Sequence, residues 1–262
     1  MNILKRIQRK ISHLIKIYNF NYLTTIYFNF KMLPLQQAIH LPFVLYGKME
    51  FWSLKGKIEI SSPCHFGMIK WGGKRDGFSP LGIPSCLSLA PDAKLIIGND
   101  VWISPGCTLR IIGTLVMENN SFLGSKSIVS CNNYIHIGCN AQIAFNSIIT
   151  DTNFHYTSID GKIYPKEGTV YIGKNCWIGN SSSITKGANI PNNSIVAAKS
   201  LVNKNFIENG EHLLLAGSPA KLKRTGIKRV FDTTLEAKVQ DFFAKNPEAS
   251  YYLLSDFEKE IL

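Results

Sequence analysis

Residues 172–202 read IGKNCWIGNSSSITKGANIPNNSIVAAKSLV, and this stretch decides the fold. An aliphatic residue occupies every sixth position: Ile172, Ile178, Ile184, Ile190, Val196 and Val202. An α-helix repeats its apolar positions every three or four residues and a surface strand every two, so neither element explains this pattern. A period of six is typical of a parallel β-helix, in which three hexapeptides close one triangular coil. One hexapeptide cannot bury its own aliphatic side chain, so the coils are stable only when stacked.

The repeat continues upstream and then breaks once. Coils are predicted to start at Ile97, Met117, Ile137, Ile172 and Ile190. The first intervals are 20 residues, which predicts two extra residues at a corner. The interval from Ile137 to Ile172 is 35, so part of the chain must leave the coil, and residues 150–168 are the expected loop. Long loops in compact folds are usually functional or disordered.

Three regions follow from this pattern. We expect a basic, aromatic N-terminal segment over residues 1–50, with irregular packing from residue 19 to 48. Residues 51–225 should form the β-helix, including the loop 150–168. Residues 226–262 should form a helical cap over the end of the solenoid. The predicted fold class is therefore an all-β parallel β-helix with helical appendages.

Charge and composition restrict the partners. The net charge of +11 and pI of about 9.3 suit an anionic partner such as a nucleotide or a phospholipid surface. No nucleic-acid recognition motif is visible, so nucleic acid is not expected as a partner. The six cysteines contain no CxxC pair and suggest reduced residues in the cytoplasm, and no zinc motif is visible.

The N-terminus is amphipathic but is not predicted to span a membrane. Residues 1–18 place an aliphatic stripe on one helical face and basic residues on the rest. This segment could dock on anionic lipid or pack on the solenoid. No secretory signal and no uncharged window of about 18–20 apolar residues is found, so a cytoplasmic location is expected, with possible peripheral membrane contact.

Two stretches resemble the hexapeptide-repeat acyltransferases. They are WIGNSSSITKGANIPNNSIVAAKSLVNKNF at 177–206 and AGSPAKLKR at 216–224. The resemblance implies a left-handed β-helix, acetyl-CoA as acyl donor, no metal, and a homotrimer. The loop sequence ITDTNFH at 149–155 is similar to sugar O-acetyltransferases of capsule, exopolysaccharide or O-antigen biosynthesis.

The same resemblance assigns the catalytic role to His155. These relatives carry one catalytic histidine on a loop that projects from the coil, and His155 lies at the matching place. An imidazole suits the chemistry, because it can accept a proton from a hydroxyl near neutral pH and return it to a leaving thiol. Asp151 could orient the imidazole, contact the sugar or simply form a turn.

The donor site is also carried over from the resemblance. Asn180 and Ala198 lie 18 residues apart and should stack on one edge of successive coils, beside the pantetheine arm. Asn203 stands where relatives often have threonine, while Lys204 retains the cation. Arg224 is the candidate for the 3′-phosphate of CoA, because arginine binds phosphate through charge-assisted hydrogen bonds.

The sequence is also compatible with other functions. A hexapeptide acetyltransferase could act on a different acceptor, namely a xenobiotic, serine or an amino sugar. A non-enzymatic β-solenoid scaffold would need neither a histidine loop nor a basic exit motif. A carbonic anhydrase of this fold would need three histidines around zinc, and the spacing of His65, His136 and His155 does not match.

Overall fold

The structure, a computed structural model, describes residues 20–73, 75, 77 and 82–260. The predicted amphipathic helix at residues 1–18 lies outside this part of the chain. The described chain forms a parallel β-helix with three sheets, preceded by two helices and followed by two more. None of the helices within the described ranges is long and apolar enough to cross a membrane.

Each turn of the β-helix visits the three sheets in order. Sheet 1 contains β1 (Phe43–Leu45), β4 (Ile69–Trp71), β7 (Val101–Ile103), β10 (Phe122–Leu123), β13 (Gln142–Ile143), β18 (Trp177–Ile178), β21 (Ile195–Val196), β23 (Leu214–Gly217) and β24 (Ala220–Arg224). Sheet 2 contains β2 (Met49–Leu54), β5 (Ser85–Leu89), β8 (Thr108–Ile111), β11 (Ile128–Cys131), β14 (Ile148–Thr150), β19 (Ser183–Ile184) and β22 (Leu201–Val202). Sheet 3 contains β3 (Lys57–Ile60), β6 (Lys94–Ile97), β9 (Thr114–Met117), β12 (Tyr134–Ile137), β17 (Thr169–Ile172) and β20 (Asn189–Ile190). We call the turns from sheet 1 to 2, from 2 to 3 and from 3 to 1 the first, second and third corners.

The register confirms the predicted repeat. Ile97, Met117, Ile137, Ile172 and Ile190 are consecutive partners across sheet 3. The six aliphatic residues of the 172–202 repeat are each at most 1% exposed. Their side chains therefore form a continuous column of buried apolar groups along the axis, as the period of six predicts.

The two extra residues of the longer coils lie beside the second corner. Strands β8, β9, β11 and β12 each have four residues, whereas β19, β20 and β22 have two. The extra residues therefore lengthen the strands of sheets 2 and 3 and do not form a bulge in the corner itself. Each longer strand buries a second apolar residue, such as Cys131 beside Val129.

An asparagine ladder runs along the third corner. Asn140, Asn175 and Asn193 have φ between 54° and 57°, a left-handed conformation that asparagine tolerates better than most residues. Asn140 Nδ2 donates to Asn175 Oδ1 at 3.0 Å, and Asn175 Nδ2 donates to Asn193 Oδ1 at 3.0 Å. The ladder ends on Glu211, whose carboxylate accepts from Asn192 and Asn193. These hydrogen bonds, that of Asn192 foremost, lower the pKa of Glu211.

Two helices precede the first coil. They are α1 (Tyr22–Met32) and α2 (Leu35–Ala38), in a region where the sequence predicted irregular packing. Phe28 packs edge-on against Phe43 and stacks on Phe51. Buried polar groups fix the helix further, because Thr25 Oγ1 accepts from the Leu45 N–H and Asn29 bonds both backbone groups of Phe43.

The chain ends in an antiparallel pair and a helical unit. Strand β23 extends sheet 1 in parallel, and β24 returns antiparallel to it. A 3-10 helix (Ile207–Asn209) precedes this pair, and α3 (Thr233–Lys245) and α4 (Asp256–Glu260) follow it. Asp232 caps α3 by accepting from the Leu235 N–H at 2.7 Å. The Glu258 carboxylate joins the two helices by accepting from Lys238 at 2.6 Å, Tyr252 at 3.0 Å and the Ser255 N–H at 2.8 Å.

The asparagine ladder predicts different costs for two substitutions of Asn175. Asn175→Gly removes two hydrogen bonds but keeps the left-handed backbone free, so unfolding should become easier by about 1–2 kcal/mol. Asn175→Ala also loses both hydrogen bonds but retains a Cβ in the left-handed conformation, without the polar group that lets asparagine adopt it, and should cost about 1–2 kcal/mol more than glycine. Urea denaturation of both variants measures the difference. Equal losses would show that the backbone conformation contributes nothing.

The Glu258 cluster predicts acid sensitivity of the C-terminal helices. Hydrogen bonding, chiefly from Lys238, lowers the pKa of Glu258 to about 2. Because the folded pKa lies below the ordinary value, the stabilisation is complete above that ordinary value and is lost as the pH falls through about 2. The amide NMR signal of Ser255, whose N–H donates to the Glu258 carboxylate, should report this loss. In Glu258→Gln this signal should lack that titration, and an unchanged titration would contradict the assignment.

Candidate active site

The projecting loop leaves the coil at the second corner and returns to it at the same corner. Strand β14 ends at Thr150 and β17 begins at Thr169. The base of the loop is closed by backbone hydrogen bonds, from Gly168 to the Asp151 carbonyl at 2.8 Å and from Asn153 to the Lys166 carbonyl at 2.9 Å. Its outer part is a hairpin of β15 (Thr157–Ile159) and β16 (Lys162–Tyr164). The loop is therefore an ordered element.

The sequence contains a signal for this hairpin that was not part of the predictions above. The connection from β15 to β16 is Asp160-Gly161, with φ of 52° and 74°. A two-residue Asp-Gly connection between short strands is characteristic of a type I′ hairpin turn. Asp160 therefore has a turn-forming role at the tip of the loop.

His155 lies at a tight turn between the loop base and the hairpin. Its N–H donates to the Asn153 carbonyl at 2.7 Å across Phe154, whose φ is 61°. This is the hydrogen-bond pattern of a γ-turn, and the Phe154 N–H is held by Thr152 Oγ1 at 2.9 Å. His155 is exposed, as are its neighbours Phe154 (52%) and Tyr156 (63%). The turn therefore leaves His155 exposed to solvent, next in sequence to two exposed aromatic residues.

Asp151 belongs to the loop base and does not face outward. Its side chain is completely buried, and its carboxylate accepts from the N–H groups of Asn132 at 2.7 Å and Asn133 at 2.8 Å. Both donors lie at the second corner of the preceding coil. Asp151 thereby fixes the start of the loop to the coil, which supports its structural interpretation over direct sugar contact.

The thiol beside Asp151 is inert as a nucleophile. Cys131 Sγ lies 3.6 Å from the Asp151 carboxylate and is buried. Burial and the charge of Asp151 raise the pKa of the Cys131 thiol. The group therefore stays protonated at neutral pH, and only the thiolate form of cysteine attacks carbonyl carbon effectively.

Lys186 supports the other side of the loop and was missed by sequence reasoning. Its ammonium donates to the Pro165 carbonyl, and its Cγ lies 2.8 Å from where a Cβ on Gly168 would stand. No sequence signal reveals this contact, because it depends on the path that the loop takes over the next coil.

Asn180 and Ala198 stack at the first corner, as predicted. The Lys199 N–H donates to the Asn180 carbonyl at 3.0 Å, and a Cβ on Gly179 would lie 2.5 Å from the Ala198 nitrogen. Asn180 is half-buried and Ala198 is exposed. The tight stacking leaves backbone groups and small side chains along this edge, which suits a ligand bound by main-chain atoms.

The remaining predicted donor residues lie elsewhere. Asn203 and Lys204 are exposed at the second corner, two coils beyond the histidine loop, and Lys204 Nζ lies 5.0 Å from the centroid of the Phe206 ring. Arg224 is exposed at the end of β24, paired with Leu214, about 13 Å of strand away from the first corner. Within one chain, His155 and Lys204 therefore lie at the second corner, whereas Asn180 and Ala198 lie at the first. Arg224 lies at neither of these two corners.

The other histidines have different surroundings. His65 is exposed between the first two coils, and His136 Nε2 lies 3.0 Å from Glu118 Oε1 on sheet 3. Within the described ranges, no group of three or more histidine, cysteine, aspartate or glutamate side chains is placed to hold a metal ion.

The six-residue repeat and the parallel β-helix that it forms define the structural class of this chain. No protein-family model matches the chain. The crystal structure of the polySia specific acetyltransferase NeuO superposes with a TM-score of 0.56 at 16% identity, covering 82% of this chain and 91% of that one. This likeness establishes the fold, and it confirms the predicted left-handed β-helix with helical appendages.

Sequence matches then give particular relatives. A galactoside O-acetyltransferase of Escherichia coli (strain K12) is 27% identical over 141 residues, which are 52% of this chain and 66% of the relative. One of Lactococcus lactis subsp. lactis (strain IL1403) is 30% identical over 151 residues, which are 56% of this chain and 63% of the relative. The matches span slightly less than two thirds of either relative. They confirm the predicted resemblance to hexapeptide-repeat acetyltransferases.

The loop base predicts unequal effects for two Asp→Asn substitutions. Asp151→Asn replaces one buried acceptor oxygen by an NH₂ group, so a buried N–H loses its partner, at a cost of about 1–3 kcal/mol. Asp160→Asn is the matched control, because Asp160 is exposed and asparagine tolerates its left-handed backbone. Denaturation should show little change for the control, and limited proteolysis should cleave only the Asp151 variant faster within the loop. Equal behaviour would contradict the anchoring role.

Proposed function

We propose that the protein is an acetyl-CoA-dependent O-acetyltransferase that acts on a sugar hydroxyl in surface-polysaccharide biosynthesis. The observation that carries this proposal is the exposed imidazole of His155, presented by an ordered loop that projects from a hexapeptide β-helix. The likeness to galactoside O-acetyltransferases supports acetyl transfer to a sugar, and the likeness to NeuO supports the fold.

In the proposed mechanism, His155 is the general base. Its imidazole takes the proton of the acceptor hydroxyl while the oxygen attacks the thioester carbonyl of acetyl-CoA. The tetrahedral intermediate then breaks its C–S bond, and the imidazolium returns the proton to the departing sulfur. The products are the O-acetylated sugar and CoA. A backbone N–H would stabilise the developing oxyanion.

The proposed donor site uses two kinds of group. Backbone atoms beside Asn180 and Ala198 line the edge along which the pantetheine arm would lie. Asn203 could contact the same arm, and Lys204 and Arg224 supply positive charge for the phosphates. No metal is required, because acyl transfer to a hydroxyl needs a base and an oxyanion donor.

The separation of these residues within one chain supports a site shared between copies. The histidine loop and the Asn180 edge lie on different corners of the same triangular coil. In a homotrimer, the first corner of one copy could face the second corner of its neighbour, and each interface would then bring the histidine loop and the Asn180 edge together. We therefore propose a trimer as the active form.

The proposal also includes the cellular location of the enzyme and the identity of its acetyl acceptor. We place the enzyme in the cytoplasm, with residues 1–18 as a candidate peripheral contact with an anionic membrane. An acceptor panel distinguishes the polysaccharide sugar from the alternatives of an amino sugar, serine or a xenobiotic, because thiol release identifies which of them accepts the acetyl group.

The assignment of His155 is tested with a matched histidine. We expect purified protein to bind acetyl-CoA and to release thiol in the presence of one sugar of the panel. His155→Ala should bind acetyl-CoA equally well but react at least ~10²-fold more slowly, since general-base catalysis contributes that much or more. His65→Ala removes an equally exposed histidine far from the loop and should retain full activity.

Two outcomes would overturn the proposal. If the wild-type protein does not bind acetyl-CoA, the acyltransferase function is wrong and the scaffold alternative is favoured. If His155→Ala and His65→Ala have equal activity, the base lies elsewhere.

A further inference from the structure

Helix α1 presents an apolar face to solvent. Leu23 is 83% exposed, and Ile26, Tyr27 and Phe30 are each about half exposed. Their spacing of three, four and seven residues puts them on one side of the helix. The buried residues Thr25, Phe28 and Asn29 lie on the opposite side. The exposed side therefore forms a continuous apolar stripe, which we call the α1 face.

The α1 face is held rigidly at the N-terminal end of the β-helix. Asn29 bonds the backbone of β1 at 2.8 and 3.1 Å, and Phe28 is completely buried between Phe43 and Phe51. Leu35 of α2 and Ile39 directly after it are further exposed apolar residues of this N-terminal region. Because polar bonds and core packing fix α1 on the coil, its outward side chains cannot turn inward to escape water.

The charged residues that precede and flank α1 in the sequence have one sign. None of the 18 acidic residues of the chain lies in residues 1–49, whereas seven lysines and arginines do. Five of these cations lie in residues 1–18, directly before the helix. The surplus positive charge is thus concentrated in the part of the sequence that precedes and includes α1.

From these observations we propose that the α1 face docks on the surface of an anionic lipid bilayer. Apolar side chains with tyrosine and phenylalanine among them suit the boundary between headgroups and acyl chains, and neighbouring cations add attraction to anionic lipid. A second copy is a poorer occupant, because a symmetric contact would bring together two copies of residues 20–49, which contain Lys31 and Lys48 and no acidic residue. This proposal is independent of the acetyl-transfer reaction.

The test uses the full chain and vesicles of two compositions, phosphatidylcholine alone and phosphatidylcholine with phosphatidylglycerol. We expect sedimentation with the anionic vesicles only, weakened by high salt because salt screens the attraction. Leu23→Ser and Phe30→Ser should each weaken binding on the order of tenfold, the effect of losing one buried large apolar side chain. Leu253→Ser is the matched control, because Leu253 is 80% exposed at the other end of the chain, and it should bind like the wild type.

Several results would overturn the proposal. Binding that is absent, or equally weakened by Leu23→Ser and Leu253→Ser, would show that the α1 face does not contact lipid. If binding depends on the cations of residues 1–18 but not on Leu23 or Phe30, the N-terminal segment alone contacts lipid. A change in oligomer size in Leu23→Ser, without vesicle binding, would assign the face to a second copy. Thiol release measured without vesicles should be unchanged in Leu23→Ser, so failure of the enzymatic proposal would be seen separately.

Discussion

Close stacking of one coil on the next fixes almost every other feature of this protein. At Gly113 a Cβ would stand 2.0 Å from the Asn133 carbonyl oxygen, and at Gly124 it would stand 2.5 Å from the Phe145 nitrogen. The parallel ladders keep each coil in one register, and the aliphatic column fills the interior without a break. A shift of one residue would turn every core side chain outward, so the register is strongly specified.

Because the sheets are rigid, the corners are the places where the chain can vary. Strands in the sheets have little freedom, whereas corners can carry an insertion without disturbing the ladders. The chain inserts the histidine loop at one corner and keeps another corner narrow, with glycine, alanine and asparagine at its edge. The loop keeps its position because Asp151 holds one end and Lys186 the other. The position of the histidine loop thus depends on a few bonds between a projecting segment and a fixed scaffold.

The sequence predicted the features that repeat and missed those that depend on single tertiary contacts. The period of six and the 35-residue interval were sufficient to predict the coil starts and the position of the loop. Helix α1 was missed because its buried Thr25 and Asn29 are polar, and their hydrogen bonds to β1 are invisible in a periodic pattern. The role of Asp151 stayed open for the same reason, since its partners lie a full coil earlier. Arg224 follows its motif in sequence, but the antiparallel turn carries it away from Asn180.

Strand β24 determines how sheet 1 ends at the C-terminal coil. A parallel β-helix offers unpaired backbone groups at its terminal coil, and a second molecule could add its own coil there and begin a filament. In sheet 1 the last strand is β24, which runs antiparallel to the rest of the ladder. It also places Lys221, Lys223 and Arg224 on the surface. A second copy that continued this sheet would therefore meet a strand of opposite direction and a row of positive charges, and both features disfavour end-to-end growth of the parallel ladder.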